Sequence, residues 1–162
     1  MKKDEYLDIT KDILKNEKFN NLKNEKHHYN SNRYEHSLKV SYYTYKVCKK
    51  LNLDYVSATK AALLHDFFFD SEFINNKDKI LNHYRASIAN SSMIINLSKK
   101  EKNIIESHMY PVGGKLPRYK ESILVDLIDD YVSVKEKFWG DYKYVNVALN
   151  FLFIILINYI IK

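Results

Sequence analysis

The chain predicts an all-α domain of six or seven helices, and three observations carry that expectation. Only 3 Gly and 2 Pro punctuate 162 residues, too few for the turns that an all-β design needs. Apolar residues make up 46%, enough for one globular core and too many for a disordered chain. They recur at steps of three and four, the period of a helix that buries one face. No internal repeat and no second domain is evident.

Taken in order, residues 3–18 read as an amphipathic helix with Tyr6, Ile9, Ile13 and Leu14 on one stripe. The polar stretch 20–32, rich in asparagine and holding the pair His27 and His28, reads as a loop with solvated histidines. From Tyr34 the helical period returns. His36, Val40, Tyr43, Val47 and Leu51 follow at steps of 4, 3, 4 and 4, which places His36 on the inward face. Asn52 ends that helix and Asp54 is placed to cap the next.

In this second helix Ala58, Ala61, Ala62 and His65 share a side, and the small residues let backbones approach closely. Phe67, Phe68 and Phe69 precede a polar break over 70–79. A helix over 80–97 carries His83 near its start and buries Ile88 and Ile95. Ser98 and Glu101 form a capping box, opening a short helix through Ile104, Ile105 and His108. The Gly/Pro-rich segment 111–117 follows His108 and is expected to be mobile and to face a substrate. A last helix over 120–138 has Ile123, Leu124, Leu127, Ile128 and Tyr131 as its core stripe, interrupted by Asp126, Asp129 and Asp130.

Residues 141–162 are almost wholly apolar. The run 144–161 would span roughly 27 Å as a helix, close to a hydrocarbon core, with Lys143 and Lys162 at its ends. Asn146, Asn150 and Asn158 argue against a membrane span. The expectation is therefore a C-terminal helix packed on a domain formed by residues 1–140, or an apolar face for homodimerisation. Membrane association through this tail is the alternative.

The net charge is +6, but lysines alternate with acids along helical faces instead of forming a block. That pattern describes solvated faces, so no nucleic-acid partner is expected. Cys48 stands alone, which excludes a disulfide framework and a CxxC metal knuckle. The N-terminal residues lack an apolar signal core. A cytoplasmic, reducing setting is the expectation.

The chemistry concentrates in histidine and aspartate. His36 on an inner helix face, His65-Asp66 ending the next helix, His83 and His108 at helix ends, and an aspartate inside an apolar helix would be costly to bury unless paired or metal-bound. A mixed imidazole and carboxylate set suits Mn, Fe, Co or Zn better than Mg. Such an ion lowers the pKa of a coordinated water and polarises a phosphoryl oxygen. Arg33, Lys115 and Arg118 are candidates for gripping phosphate, Arg33 being three residues from His36. Asp70 and Glu72, just after the His-Asp pair, are candidates for general acid or base work.

The pattern H…HD…D, as His36, His65-Asp66 and Asp129, resembles the HD superfamily of metal-dependent phosphohydrolases. The RYEHS around His36 and the 29-residue step to His65 support the likeness, which covers roughly residues 33–137. It implies an all-helical fold, those four residues as metal ligands, and a small phosphate compound, nucleotide-like, as substrate. Asp126 and Asp130 are alternatives to Asp129 as the last ligand. His83 and His108 match the extra histidines of subfamilies with one or two ions, including HD-type dinucleoside tetraphosphate hydrolases. In place of the usual Gly-Lys after the HD pair stand Phe67 and Phe68, so a phosphate-binding lysine is absent there. The non-catalytic alternative is an HD module that senses a nucleotide or a partner.

Overall fold

The helical signals become seven α-helices over residues 2–27 and 31–137, the part of the chain described by the computed structural model. They are α1 (Lys2–Leu14), α2 (Glu17–Asn20), α3 (Arg33–Lys50), α4 (Tyr55–Leu64), α5 (Asn76–Ser92), α6 (Lys99–Ser107) and α7 (Lys120–Lys137). Among the described residues there is no strand, only one antiparallel bridge between Lys26 and Asn32. The expected all-α architecture is the observed one.

Local chemistry sets the helix ends. Asn32 opens α3 by accepting from the Glu35 N–H at 2.8 Å. Asn52 closes it in the left-handed region at φ 54°, a conformation asparagine tolerates. Asp54 caps α4 through the Ser57 N–H at 3.1 Å. Ser98 and Glu101 form the reciprocal capping box of α6. Asn75, not a residue near 80, opens α5 by accepting from the Asp78 N–H, so the helix starts earlier than the apolar pattern suggested. It also ends earlier, at Ser92, and Ile88 and Ile95 are only partly buried.

The N-terminal region corrects the sequence reading. Instead of one helix over 3–18, α1 stops at Leu14 and Asn16 caps α2 through the Phe19 N–H at 3.0 Å. A 3-10 turn over Asn21–Asn24 follows, so the first five residues of the expected polar loop are helical. Phe19 and Leu22 are fully buried there and anchor the segment to the core.

Helix α3 packs on α4 and α7, and α6 packs on α4, α5 and α7. Ala58, Ala61 and Ala62 are fully buried, which brings α4 close to its neighbours. Leu64, Ile104, Ile105 and Ile128 fill the space between. Helices α3, α4, α5, α6 and α7 are thus linked through their packing, which brings their buried polar residues together.

The Gly/Pro segment is tied back to α6. Lys115 N–H donates to Glu106 O at 2.7 Å, and Asn103 takes the Arg118 N–H at 2.8 Å. Gly114 lies at φ +73°, and a Cβ there would sit 2.2 Å from the Glu106 carbonyl oxygen. Tyr110, Val112 and Leu116 project outward from it. His28 and the apolar tail 144–161 lie outside the described residues. Among those described, no helix is long and apolar enough to cross a membrane.

Candidate metal centre

Five elements deliver the histidines and aspartates to one place. The inward face of α3 presents His36, as its helical spacing predicts. The chain leaves α4 through His65 and Asp66. Helix α5 contributes His83, the C-terminal residue capping α6 contributes His108, and α7 contributes Asp129. All six are at least nine-tenths buried.

His36 Nε2 lies 2.8 Å from Asp129 Oδ1, and His65 Nε2 lies 3.5 Å from the same oxygen. Asp66 faces both ways. Its Oδ2 is 3.8 Å from His65 Nε2, while its Oδ1 is 3.7 Å from His83 Nε2 and 3.4 Å from His108 Nε2. The groups His36, His65, Asp129 and Asp66, His83, His108 each bring three ligand atoms within 4.8 Å of one another. Donors about 2.0–2.2 Å from one ion stand at such separations. The cluster is thus two adjoining half-sites joined by one carboxylate.

Hydrogen bonds aim three rings. Nδ1 of His65 meets Ala62 O at 2.7 Å, Nδ1 of His83 meets Lys79 O at 2.9 Å, and Nδ1 of His108 meets Ile105 O at 2.8 Å. A carbonyl only accepts, so each Nδ1 carries the hydrogen and each Nε2 is turned inward. His65 Nε2 is buried with no hydrogen-bond partner among the described residues. His83 Nε2 and His108 Nε2 face each other at 2.9 Å, where two bare lone pairs would repel unless a proton or a metal ion lies between them. This donor set fits a divalent ion of the imidazole-loving kind.

His36 is aimed differently, with Nδ1 3.0 Å from Glu136 Oε2 on α7. Burial alone would lower its pKa, but hydrogen bonds to Asp129 and Glu136 and the charges of Asp129 and Asp66 win, raising it to about 10. The same opposition holds Asp129 well below the usual carboxylate range: burial pushes it up, and His65 and His36 pull it further down. Burial also opposes ionisation of Asp66, yet His65, His108 and His83 keep it strongly acidic. In the other half, burial lowers the His83 pKa, while Asp66 outweighs burial at His108 and raises it. The two rings of this half are thus pushed in opposite directions, His83 away from protonation by burial and His108 toward it by Asp66.

The other expected site residues stand elsewhere. Arg33 is buried as a strut: Nη1 donates to Glu25 at 3.1 Å and Phe68 O at 2.9 Å, and Nη2 to Asp70 at 2.9 Å. Its guanidinium also stacks on the Phe68 ring. Asp70 takes that bond together with Lys79, and Glu72 accepts from the Phe69 N–H and Asn90. These three thus hold the turn that follows Asp66. Lys115 pairs with Glu106 at 2.7 Å, and Arg118 is exposed with only its N–H bonded to α6. No hydrogen bond or ion pair among the described residues links the Lys115 or Arg118 side chain to the cluster. Asp129 is the aspartate that meets the histidines; Asp126 is partly buried and Asp130 exposed, and burial plus the charge of Asp130 raise Asp126 to about 7.

Two site residues were not visible beforehand. Glu136 reads as one more acid in the last turn of a charged helix, and only the crossing of α3 and α7 brings it to His36. His27 was read as solvated, but its ring lies 4.0 Å from that of His36 and its Nδ1 is 3.9 Å from Asp66 Oδ2. An asparagine-rich loop has no period from which to read direction, so only the adjacency to a histidine-bearing helix hinted at this.

No curated protein and no solved structure matches the chain. Comparison with protein families matches residues 33–133 to the HD domain, more than half of the chain, from the first turn of α3 to within four residues of the end of α7. That span holds His36, His65, Asp66 and Asp129, and with the geometry above it places the chain in the HD domain family.

Proposed function

We propose that the protein is a metal-dependent phosphohydrolase that cleaves a phosphoester or phosphoanhydride of a small nucleotide-like substrate. The observation that supports this most is the convergence of buried, inward-turned imidazoles and two carboxylates on one point. Burying such a set is costly without a cation to pair it. His36, His65, Asp66 and Asp129 would hold one ion, and Asp66, His83 and His108 a second. Bound there, Mn, Fe, Co or Zn supplies Lewis acidity toward water and a phosphoryl oxygen. The protein's own part is positional. Helix-borne rings fix the donors, Glu136 holds His36, and the strut of Arg33, Asp70 and Glu25 fixes the turn carrying Asp66.

The alternative, an HD module that senses a ligand without turnover, gains from Arg33 and Lys115 being paired with carboxylates. The test is metal-free protein reloaded with Mn, Fe, Co or Zn singly and assayed for phosphate release from mononucleotides, dinucleoside polyphosphates and an aryl phosphate. Metal-stimulated release that Asp66→Ala abolishes is the expected result. Nucleotide binding without release, kept in Asp66→Ala, would establish the sensor, and failure to bind any ion would end the hydrolase reading.

A further inference from the structure

We infer that His27, carried on the loop before α3, is an additional ligand of the ion held by His36, His65, Asp66 and Asp129. The inference rests on the metal-site reading above and adds a residue outside the H…HD…D set. One ligand atom each of His27, His36 and Asp66 lies within 4.8 Å of the others. The closest approach recorded to the carboxylate is His27 Nδ1 to Asp66 Oδ2 at 3.9 Å, and that oxygen is the one turned toward His65. His27 therefore belongs to the His36 side of the cluster and not to the side of His83 and His108. Donor atoms around a single first-row ion stand roughly 2.8–4.4 Å apart when each bond is about 2.0–2.2 Å, so 3.9 Å needs little adjustment.

The loop is built to hold the ring there. Its ends are joined by the Lys26–Asn32 bridge, and the His27 N–H donates to Ser31 O at 3.1 Å. Ser31 Oγ in turn donates to Glu136 Oε2 at 3.1 Å, the oxygen that meets His36 Nδ1. Glu25 anchors the other side through Arg33 and the Asp70 N–H. One carboxylate on α7 thus steadies both His36 and the loop that presents His27 over it.

The experiment titrates metal-free full-length protein with Co(II) alone, reading calorimetric affinity and the visible d–d spectrum for wild type, His27→Ala and His27→Glu. His27→Ala should weaken the tighter site on the order of tenfold or more and intensify the d–d bands, as loss of a ligand lowers the coordination number. His27→Glu, which returns a donor atom, should recover much of the wild-type affinity. In wild type itself, the Co(II)-shifted exchangeable imidazole N–H signals should include one that His27→Glu removes. An unchanged spectrum and affinity in His27→Ala, or a melting shift of the metal-free variant without any spectral change, would overturn the inference and leave the metal site standing. Absence of Co(II) binding to wild type would instead remove the metal reading on which it rests.

Discussion

Backbone carbonyls aim His65, His83 and His108, so the two halves of the cluster differ in one ring, His36. His83 and His108 donate Nδ1–H to carbonyls of their own helices, one turn back. His36 relies on a carboxylate from another helix, Glu136, which Lys39 and Ser31 also hold. A neutral carbonyl fixes the tautomer and leaves the ring's basicity nearly alone. A carboxylate makes the ring a stronger donor and, in metal-free protein, keeps a proton on it. The half around His36 should thus bind its ion more tightly, and with more proton release, than the half around His83 and His108.

The largest effect should come from removing what the halves share. Asp66→Asn takes the charge from both oxygens of the bridging carboxylate, so both ions should be lost by more than the roughly 10–100-fold typical of outer-shell changes. Metal content after dialysis would show it, and retention of either ion would break the picture of a shared ligand. Next, His108→Ala should lose the weaker ion while keeping the tighter one, and His36→Ala should lose the tighter. Calorimetric titration separates the two, and equal losses in both variants would mean that the halves act as one site.

Glu136→Gln should cost the tighter site about 10–100-fold in affinity and leave the weaker one unchanged. The smallest effect is in pH dependence. His36 is raised from 6.5 to about 10, so in metal-free protein its contribution to stability is complete below 6.5 and fades as pH climbs through about 10. Asp129 is held below its ordinary 3.8, so its contribution is present above that pH and fades on acidification. Thermal melts of metal-free protein should therefore peak in mildly acidic buffer. The alkaline decline should shrink in Glu136→Gln, and an identical decline would show that Glu136 does not hold the proton on His36.

What was legible in the sequence followed from helix periodicity. His36 shares a stripe with Val40, and His65 shares a side with the alanines of α4, so both had to face inward. Asp129 could be chosen over Asp126 and Asp130 only through the family pattern, because three acids in five residues cover much of a helix face. His27 and Glu136 were invisible for the complementary reason: a loop and a helix's last turn acquire direction only from tertiary contacts. Arg33 was read as a phosphate candidate from its nearness in sequence to His36; its bonds to Glu25, Phe68 O and Asp70 come from segments that only the tertiary fold brings to α3. Phe19 and Leu22 were lost among asparagines, although two large apolar side chains three apart were themselves a helical signal.

The carbonyls that take the Nδ1–H of His65, His83 and His108 have a broader consequence. Each ring and its aiming group travel on the same short stretch of backbone, so the tautomer and the ring's orientation on its own helix do not depend on the neighbouring helices. Such self-contained modules let neighbouring sequence drift widely while the donor geometry persists. A chain so biased toward lysine, asparagine, isoleucine and tyrosine can still keep a centre of this kind.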